Sequence, residues 1–160
     1  MDEGQRRKAL RMVPYGLYLL GARSGDEPFA YVVSWVTQTS FKPPMLVVCM
    51  GRDSHGYKLA KEGGAFTLNF LASDQKDLAK LFFKDVKHAD GALNGVRIER
   101  GPHTGCPVFP DLPAHVECEV VHAYEGENDH AVVVAKVVDA VHRRDAKPLT
   151  TAETGWTYAG

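Results

Sequence analysis

The chain has 160 residues, and 44% of them are hydrophobic, which is enough apolar material for one sizeable core. Its 19 Lys and Arg residues nearly balance its 20 Asp and Glu residues, so no broad field attracts nucleic acid or an acidic membrane surface. The sequence therefore predicts a single domain over residues 1–160 with neither of these partners.

Cysteine usage and hydropathy predict a cytoplasmic protein. Cys49, Cys106 and Cys118 are odd in number and lack CxxC spacing, which argues against a disulfide framework and a structural zinc site. The first twelve residues are mostly polar and do not resemble a signal peptide. The longest apolar run, 131–141, is about half of the roughly 20 residues that a membrane-spanning helix needs, and it contains two charges.

The first third of the chain predicts an N-terminal helix followed by strands. Helix formers occupy 1–12, and then Pro14 and Gly16 interrupt the pattern. Two segments rich in Tyr, Val, Leu and Trp, at 15–22 and 29–37, predict a hairpin. The short apolar run at 45–50 predicts a buried central strand.

Two further helices are predicted in the middle of the chain. Ser54 or Asp53 can cap a short helix that ends at residues 63–64, where two glycines follow each other, and a strand should follow at 65–71. Ser73 is a good N-cap for a second helix. The apolar stripe of that helix consists of Leu78, Leu81 and Phe82.

The remaining sequence predicts loops and a second hairpin. Residues 85–95 form an expected loop, with a short strand at 96–99 and an irregular Gly- and Pro-dense segment at 101–113. Alternating and then Val-rich segments at 114–124 and 130–141 predict two long strands.

Residues 150–160 read as a C-terminal tail that carries Trp156 and Tyr158, two large aromatic residues that suggest docking onto another surface. Many short strands with only two or three short helices predict a mainly β fold. We expect a closed or nearly closed antiparallel barrel of Greek-key type, because closure removes unpaired strand edges.

The turn after the 45–50 strand is suited to an anion. A helix N-terminus offers unpaired N–H groups and a positive dipole end, to which Ser54 adds a hydroxyl and Arg52 a guanidinium. Such groups bind phosphate. The alternative is an ordinary helix cap beside an exposed arginine.

The segment 34–44 is rich in hydroxyl side chains and ends in two prolines. It could hydrogen-bond a polar heterocycle, or it could be a half-buried strand with its polar side chains in water. The residues alone do not decide between these readings.

Metal ligands are not indicated by spacing along the chain. His103 and Cys106 lie three residues apart but lack an obvious third ligand, and they read as loop residues. The other histidines considered lack the i, i+4 spacing of a helical metal site: they are His55, His88, His115, His122 and His142. We therefore expect no metal.

Taken together, the motifs resemble those of the flavin reductase-like FMN-binding split barrels, a family that includes flavoredoxin-like and NAD(P)H:flavin oxidoreductase-like proteins. The order Ser34-Trp35, four residues, and then Ser40-Phe41-x-Pro-Pro is similar to the family's first strand pair. The resemblance continues through 66–71, 105–107 and 114–118, then through Asp129-His130 and the tail 154–158. It covers nearly the whole chain.

The resemblance implies FMN bound at the interface of a homodimer. Ser34, Trp35, Val36 and Thr37 would border the ring. Ser40, Arg52 and Ser54, with Tyr57 or Lys58, would hold the ribityl phosphate. His130 would face the nicotinamide and take part in catalysis. Trp156 would lie over the flavin edge or on the neighbouring subunit; the alternative places it in a remote groove of the barrel.

The implied activity is hydride transfer from NADH or NADPH to the flavin, with the cofactor doing the covalent work. Asn128 replaces the glycine of the family's Gly-Asp-His turn, while the histidine is retained as His130. Two alternatives remain open. One is a non-enzymatic FMN-binding electron carrier or redox sensor, and the more distant one is a split barrel that binds haem or another ligand.

Overall fold

The computed structural model describes residues 1–158, which form twelve strands and four short helices. The helices are α1 (Glu3–Leu10), α2 (His55–Gly63), α3 (Lys76–Lys80) and α4 (Thr151–Thr154). The long strands are β1 (Tyr18–Ser24), β2 (Glu27–Val33), β3 (Val36–Phe41), β4 (Pro44–Gly51), β5 (Ala65–Phe70), β11 (Ala114–Tyr124) and β12 (His130–His142). The two-residue strands are β6 (His88–Ala89), β7 (Ala92–Leu93), β8 (Val96–Arg97), β9 (Glu99–Arg100) and β10 (Pro107–Val108).

The seven long strands form one antiparallel sheet in the order β2-β1-β5-β11-β12-β4-β3. Its edge strands, β2 and β3, are consecutive in the chain, and only Ser34 and Trp35 separate them. Two residues span only a few ångströms, so the two edges meet at this link and the sheet curls. Since β2 and β3 are not paired with each other, the barrel is split between them. The mainly β, antiparallel split barrel that the sequence predicts is confirmed.

Several predicted elements are confirmed together with their boundaries. α2 is capped as expected: Ser54 Oγ accepts a hydrogen bond of 3.2 Å from the Tyr57 N–H. Gly64 ends the helix in the left-handed conformation, with φ 65°. β11 covers the predicted residues 114–124, and β12 extends one residue beyond its predicted end at 141.

The predicted strand 29–37 is wrong as a single element. It is interrupted at Ser34 and Trp35, where the chain crosses from one edge of the sheet to the other. The sequence gives no sign of this break, because strand-forming residues continue through it.

The predicted cap at Ser73 is also wrong. α3 begins at Lys76 and has five residues, and its N-cap Gln75 makes no capping hydrogen bond with its side chain. Gln75 Oε1 instead accepts from the Ala72 N–H at 2.8 Å. The apolar stripe extends past the helix because Phe82 is buried beyond its last turn.

Two segments predicted to be irregular contain short strands. The loop 85–95 includes β6 and β7, and β7 lies between β6 and β8 in a small sheet. The segment 101–113 includes β10, which pairs with β9. Asn94 adopts φ 48° and holds this loop, since its side chain donates to the carbonyls of Leu81 and Asp85. The tail also differs from expectation, because α4 forms a helical turn there and brings the number of helices to four.

Two apolar clusters stabilise the fold. The first, called the barrel core below, lies inside the curled sheet; its larger members are Leu20, Val48, Met50, Phe66, Leu68 and Val133. The second, the outer core, packs against the other face of β1; its larger members are Leu17, Leu19, Leu71, Phe82, Leu93, Phe109, Leu112 and Leu149. α1 contributes no buried residue to either cluster. No helix within residues 1–158 is long and apolar enough to cross a membrane.

Candidate active site

A cavity of about 370 Å³ lies beside the link between β2 and β3. Its lining is mainly aromatic and aliphatic: Leu17, Tyr31, Val32, Val33, Ser34, Trp35, Cys49, Met50, Gly51, Phe82, Phe83, His130, Thr151, Trp156, Thr157 and Tyr158. Pockets of this size and character accommodate small planar ligands. Because aromatic and hydrogen-bonding side chains from distant segments, among them Trp35, His130 and Trp156, converge on this cavity, it is the main candidate for a ligand site in the described chain.

Trp35 is positioned by the backbone of the link. Its carbonyl accepts from the Cys49 N–H at 2.9 Å, which attaches the link to β4. The indole ring contacts His130, with 4.7 Å between ring centroids, and Tyr158, with 5.3 Å. Its Nε1–H donates to the Tyr158 carbonyl at 3.2 Å. Three residues that are far apart in sequence thus form one aromatic group at the cavity.

His130 begins β12 directly opposite Gly51, the last residue of β4. Its Nδ1 lies 2.8 Å from Asp129 Oδ1, and its Nε2 lies 2.8 Å from the Tyr158 hydroxyl. The hydrogen bond to His130, together with its charge when protonated, lowers the pKa of Asp129. Burial, reinforced by the negative charge of Asp129, raises the pKa of Tyr158. Asp129, His130 and Tyr158 therefore form a hydrogen-bonded chain at the rim of the cavity.

The C-terminal segment reaches the cavity because backbone hydrogen bonds hold it on both sides. The Leu17 N–H donates to the Leu149 carbonyl at 2.9 Å, and the Leu149 N–H donates to the Leu71 carbonyl at 2.8 Å. Beyond α4, Trp156 packs edge-on against Phe83, with centroids 4.8 Å apart. Trp156 thus lines the cavity and also packs against the outer core.

The turn at 51–54 lies next to the cavity. Gly51 is one of the lining residues, and the Arg52 N–H donates to the Asp129 carbonyl at 3.0 Å. The Arg52 guanidinium donates through Nη1 to the carbonyls of Gly126 and Asn128, at 3.0 and 3.3 Å. In this structure the side chain therefore holds the β11–β12 turn against the start of α2.

The N-terminus of α2 packs closely against the cavity lining. A Cβ atom at Gly56 would lie 1.9 Å from the Tyr31 ring, so only glycine fits there. The hydroxyl of the next residue, Tyr57, donates to Glu125, and Nζ of Lys61, one turn later in the helix, lies 2.7 Å from the same carboxylate. Burial and the bond to Glu125 raise the pKa of Tyr57 to about 12. These contacts fix α2 relative to the hairpin that carries His130.

The structure brings together some of the residues that the sequence nominates. Ser34, Trp35, His130 and Trp156 line the cavity. Val36 and Thr37 line a different groove, which includes Tyr18 and Phe70. The remaining nominated residues lie outside the lining: Ser40 near the end of β3, and Arg52, Ser54, Tyr57 and Lys58 at the start of α2.

The sequence-based site omits several lining residues, notably Tyr31, Cys49 and Phe83. Tyr158 was not named as a site residue, although it belongs to the aromatic tail that the sequence indicates as a docking segment. Cys49 could have been found, because the alternation in β4 places it on the same face as Gly51. Its thiol is partly buried, and burial raises its pKa. Phe83 is brought to the cavity by tertiary packing alone, so no local pattern indicates it.

The comparisons with known proteins agree with this geometry. The sequence profile of the flavin reductase like domain matches residues 10–158. The chain belongs to this family. A flavin reductase (NADH) from Kitasatospora aureofaciens is 34% identical over 128 residues, which are 79% of this chain and 65% of that protein. An NADH-dependent FMN reductase from Streptomyces nodosus subsp. asukaensis is 28% identical over 144 residues, 88% of this chain and 75% of that protein.

A solved structure shares the fold of this flavin reductase-like chain. The NADH:FAD oxidoreductase of Streptomyces globisporus, in complex with NAD and FAD fragments, superposes with a TM-score of 0.80 at 22% identity. The match covers 96% of this chain and 92% of that one. Other curated relatives are longer, including diflavin flavoproteins of Synechocystis and Nostoc, and this chain spans 22–35% of their length.

Proposed function

We propose that this flavin reductase-like domain binds FMN in the aromatic cavity and is an oxidoreductase that transfers hydride from NADH or NADPH to the flavin. The observation that carries the proposal is the cavity beside Trp35 and His130 in a chain that belongs to this family. When bound, FMN supplies the ring system that accepts the hydride. The protein's part is to bind, orient and shield the two rings.

The cavity fits a flavin in size and in lining. Its volume of about 370 Å³ and its apolar character suit a flat heterocycle. Trp35 and Trp156 offer aromatic surfaces on which such a ring can stack. The fit therefore supports Trp35 and Trp156 as ring contacts, with Ser34 at the edge as a hydroxyl partner.

The phosphate of FMN would lie at the start of α2. This helix has nine residues, its N-terminus adjoins the cavity through Gly51, and no acidic side chain occupies its first turn. A helix N-terminus attracts a phosphate through its free N–H groups and dipole. Arg52, Ser54 and Lys58 are the side chains that we assign to the phosphate, with Tyr57 and Ser40 beside them.

His130 and Tyr158 would meet the nicotinamide. In the described structure the Tyr158 hydroxyl occupies the hydrogen-bonding position at His130 Nε2. The Tyr158 hydroxyl must therefore move away from His130 Nε2 before the amide of a nicotinamide can form a hydrogen bond there. The residues themselves then bind and orient the nicotinamide, and His130 holds its position through Asp129.

We also propose that the chain acts as a homodimer. The cavity of one chain accommodates the flavin ring, and a symmetric partner can cover the rest of the flavin. Phe41, Val121 and Tyr124 are large apolar side chains that are 86%, 60% and 58% exposed, respectively, and a subunit interface would cover such residues. Light scattering that gives a monomer with FMN fully bound would contradict this assignment.

A second function, a non-enzymatic FMN carrier or redox sensor, is favoured by one observation. Tyr158 contacts both Trp35 and His130 and so covers the side that a nicotinamide would approach. The visible spectrum of the purified protein, followed by addition of NADH or NADPH, separates the two functions. Flavin bands that bleach indicate a reductase; flavin bands that persist indicate a carrier.

Titration with FMN, FAD and riboflavin tests the choice of flavin. We expect FMN to bind more tightly than riboflavin, because only FMN places a phosphate at α2. Arg52→Ala should weaken FMN about tenfold and leave riboflavin unchanged, since a charge-assisted contact is removed. Arg144→Ala, at an exposed arginine outside the cavity, is the matched control. Equal losses for FMN and riboflavin in Arg52→Ala would reduce Arg52 to an anchor of the β11–β12 turn.

A further inference from the structure

Three ionisable side chains meet on β11 and β12, and none of them lines the cavity. His115 and Glu117 are two residues apart on β11, so they share one face of that strand. Asp139 of β12 is directly opposite Glu117 in the strand register. One nitrogen or oxygen atom from each side chain lies within 4.8 Å of the other two. A histidine and two carboxyl groups are thus brought to a single point.

Glu117 is a buried carboxyl group whose hydrogen-bond partners in the described part of the chain are all neutral donors. The residue is fully buried, and its Oε2 accepts from the Thr104 N–H and the Thr104 hydroxyl, both at 2.7 Å. The His103 N–H donates to the same oxygen at 3.2 Å and approaches Oε1 only to 3.4 Å. Within residues 1–158, no ion pair to Glu117 is formed. Buried carboxylates usually have a cationic partner or a metal.

His115 has a ring nitrogen without a partner. The residue is 3% exposed, and its Nε2 atom is buried and makes no hydrogen bond within the described part of the chain. Its Nδ1 atom lies 3.0 Å from Nη2 of Arg143. Burial, assisted by the charge of Arg143, lowers the pKa of His115. Its buried Nε2 atom, which has no hydrogen-bond partner, is a potential metal ligand.

A fourth group approaches from the loop that covers Glu117. His103 Nε2 is 4.0 Å from Asp139 Oδ2, and the His103 side chain is about half exposed. The same loop contributes the backbone donors that orient Glu117. Hydrogen bonds of this kind commonly orient a ligating carboxylate.

We propose that His115, Glu117 and Asp139 bind one divalent transition-metal ion, with His103 as a fourth ligand from the loop. Imidazole nitrogen and carboxylate oxygen in this proportion suit Zn²⁺. The ion compensates the buried Glu117 and uses the free Nε2 of His115. Its role is structural, because it ties the 101–106 loop to the β11–β12 hairpin.

The sequence predicts no metal site because its histidines and cysteines lack the spacings typical of metal ligands in loops and helices. A site of the present kind needs two residues on one face of a strand and a third across the ladder. The register of β11 with β12 is what brings Asp139 to the other two.

The arrangement also predicts competition between the ion and Arg143. Arg143 can only donate, so His115 Nδ1 accepts and the ring proton of the neutral imidazole is on Nε2. Ligation through Nε2 requires that proton to move to Nδ1. Arg143, which is exposed, must then turn away. The metal ion replaces the guanidinium as the cation next to the His115 ring.

Zinc binding to the full-length, chelator-treated protein tests the proposal. A chromophoric chelator in competition gives the affinity, and elemental analysis after dialysis gives the stoichiometry. We expect one Zn²⁺ per chain. Asp139→Asn and His103→Ala should each weaken binding about tenfold or more, whereas Arg143→Gln should strengthen it several-fold. His122→Ala, at an exposed histidine of the same strand, is the control that should change nothing.

Zinc-soaked crystals locate the ion through its anomalous scattering, and we expect the peak between His115 and Asp139. Absence of saturable binding would overturn the proposal, as would a peak at any other histidine. Unchanged zinc affinity in both His103→Ala and Asp139→Asn would also overturn the proposal. Because His103 and Asp139 are not fully buried, these variants keep the test valid even if substitutions at Glu117 prevent folding.

Discussion

The barrel core and the outer core are similar in packing and differ in how the sequence encodes them. Residues of the barrel core recur at every second position of a strand, as Leu46, Val48 and Met50 do in β4. The outer core takes one or two residues from each of several separate segments, such as Phe109 and Leu149. Strand periodicity therefore encodes the barrel core, whereas the outer core is assembled only by the completed fold. The cavity borders the outer core, so several of the residues that line it are also brought together only by the completed fold.

The largest expected effect compares one phenylalanine from each core. Phe66 and Phe82 are both almost fully buried, at 0% and 2% exposure, so either change to alanine should lower the free energy of unfolding by about 3–5 kcal/mol. Only Phe82 lines the cavity. We expect Phe66→Ala to leave the FMN affinity of the folded protein unchanged and Phe82→Ala to weaken it, as measured by denaturant unfolding and flavin titration. Equal FMN affinities in the two variants would contradict the link between the outer core and the site.

Truncation after Thr151 removes the part of the outer core that covers the cavity. Trp156 and Tyr158 are lost, so FMN should dissociate about tenfold faster or more, and bulky electron acceptors should be reduced more readily. Stopped-flow release of FMN provides the measurement. Tyr158→Phe serves as the matched control, because it keeps the ring and removes only the hydrogen bond to His130. Unchanged release after truncation would leave Trp156 with a packing role alone.

His130→Ala tests whether the rim of the cavity serves the nicotinamide. In the proposed reductase, the KM for NADH should rise about tenfold while FMN affinity stays the same, because a contact with one substrate is lost selectively. Steady-state kinetics with His122→Ala as the control make the comparison. If the KM for NADH is unaltered, His130 is only a residue of β12.

The smallest expected effect concerns the exposed contact between α2 and the β11–β12 turn. Hydrogen bonds from Lys61 and Tyr57 lower the pKa of Glu125 from its ordinary 4.5. The ionised form is thus favoured in the folded state, so its contribution to stability is present above pH 4.5 and is lost as the pH falls through the lowered pKa. The unfolding temperature of the native protein should fall more between pH 5 and pH 3 than that of Glu125→Gln. If the unfolding temperatures of the native protein and of Glu125→Gln fall equally between pH 5 and pH 3, this contact does not stabilise the fold.

Local patterns predict much of the fold. Ser54 and the two glycines at 63–64 bound α2, and alternation places β11 within its actual limits. The same patterns fail at Ser73, because good capping chemistry was available at a position where the chain does not start a helix. They also fail at Ser34 and Trp35, where strand-forming residues continue through a break.

The site is predicted less completely than the fold. Ser34, Trp35, His130 and Trp156 were nominated through the family resemblance, and the fold places them together at one cavity. Tyr158 contacts Trp35 although 123 positions separate the two residues in the sequence, and no periodic pattern predicts such a contact. Arg52 was nominated for a phosphate, but its pairing with the carbonyls of Gly126 and Asn128 depends on where another hairpin turn ends.

The two-residue link at Ser34 and Trp35 has a consequence for how the barrel deforms. β2 and β3 share no ladder hydrogen bonds, so the split between them is the seam along which the barrel can widen. At the link the seam is closed covalently, and widening must increase with distance from it. The cavity lies at this stiff end. We therefore expect any ligand of the cavity to meet a largely preformed site, and we expect thermal widening of the barrel to be greatest at the opposite end of the seam.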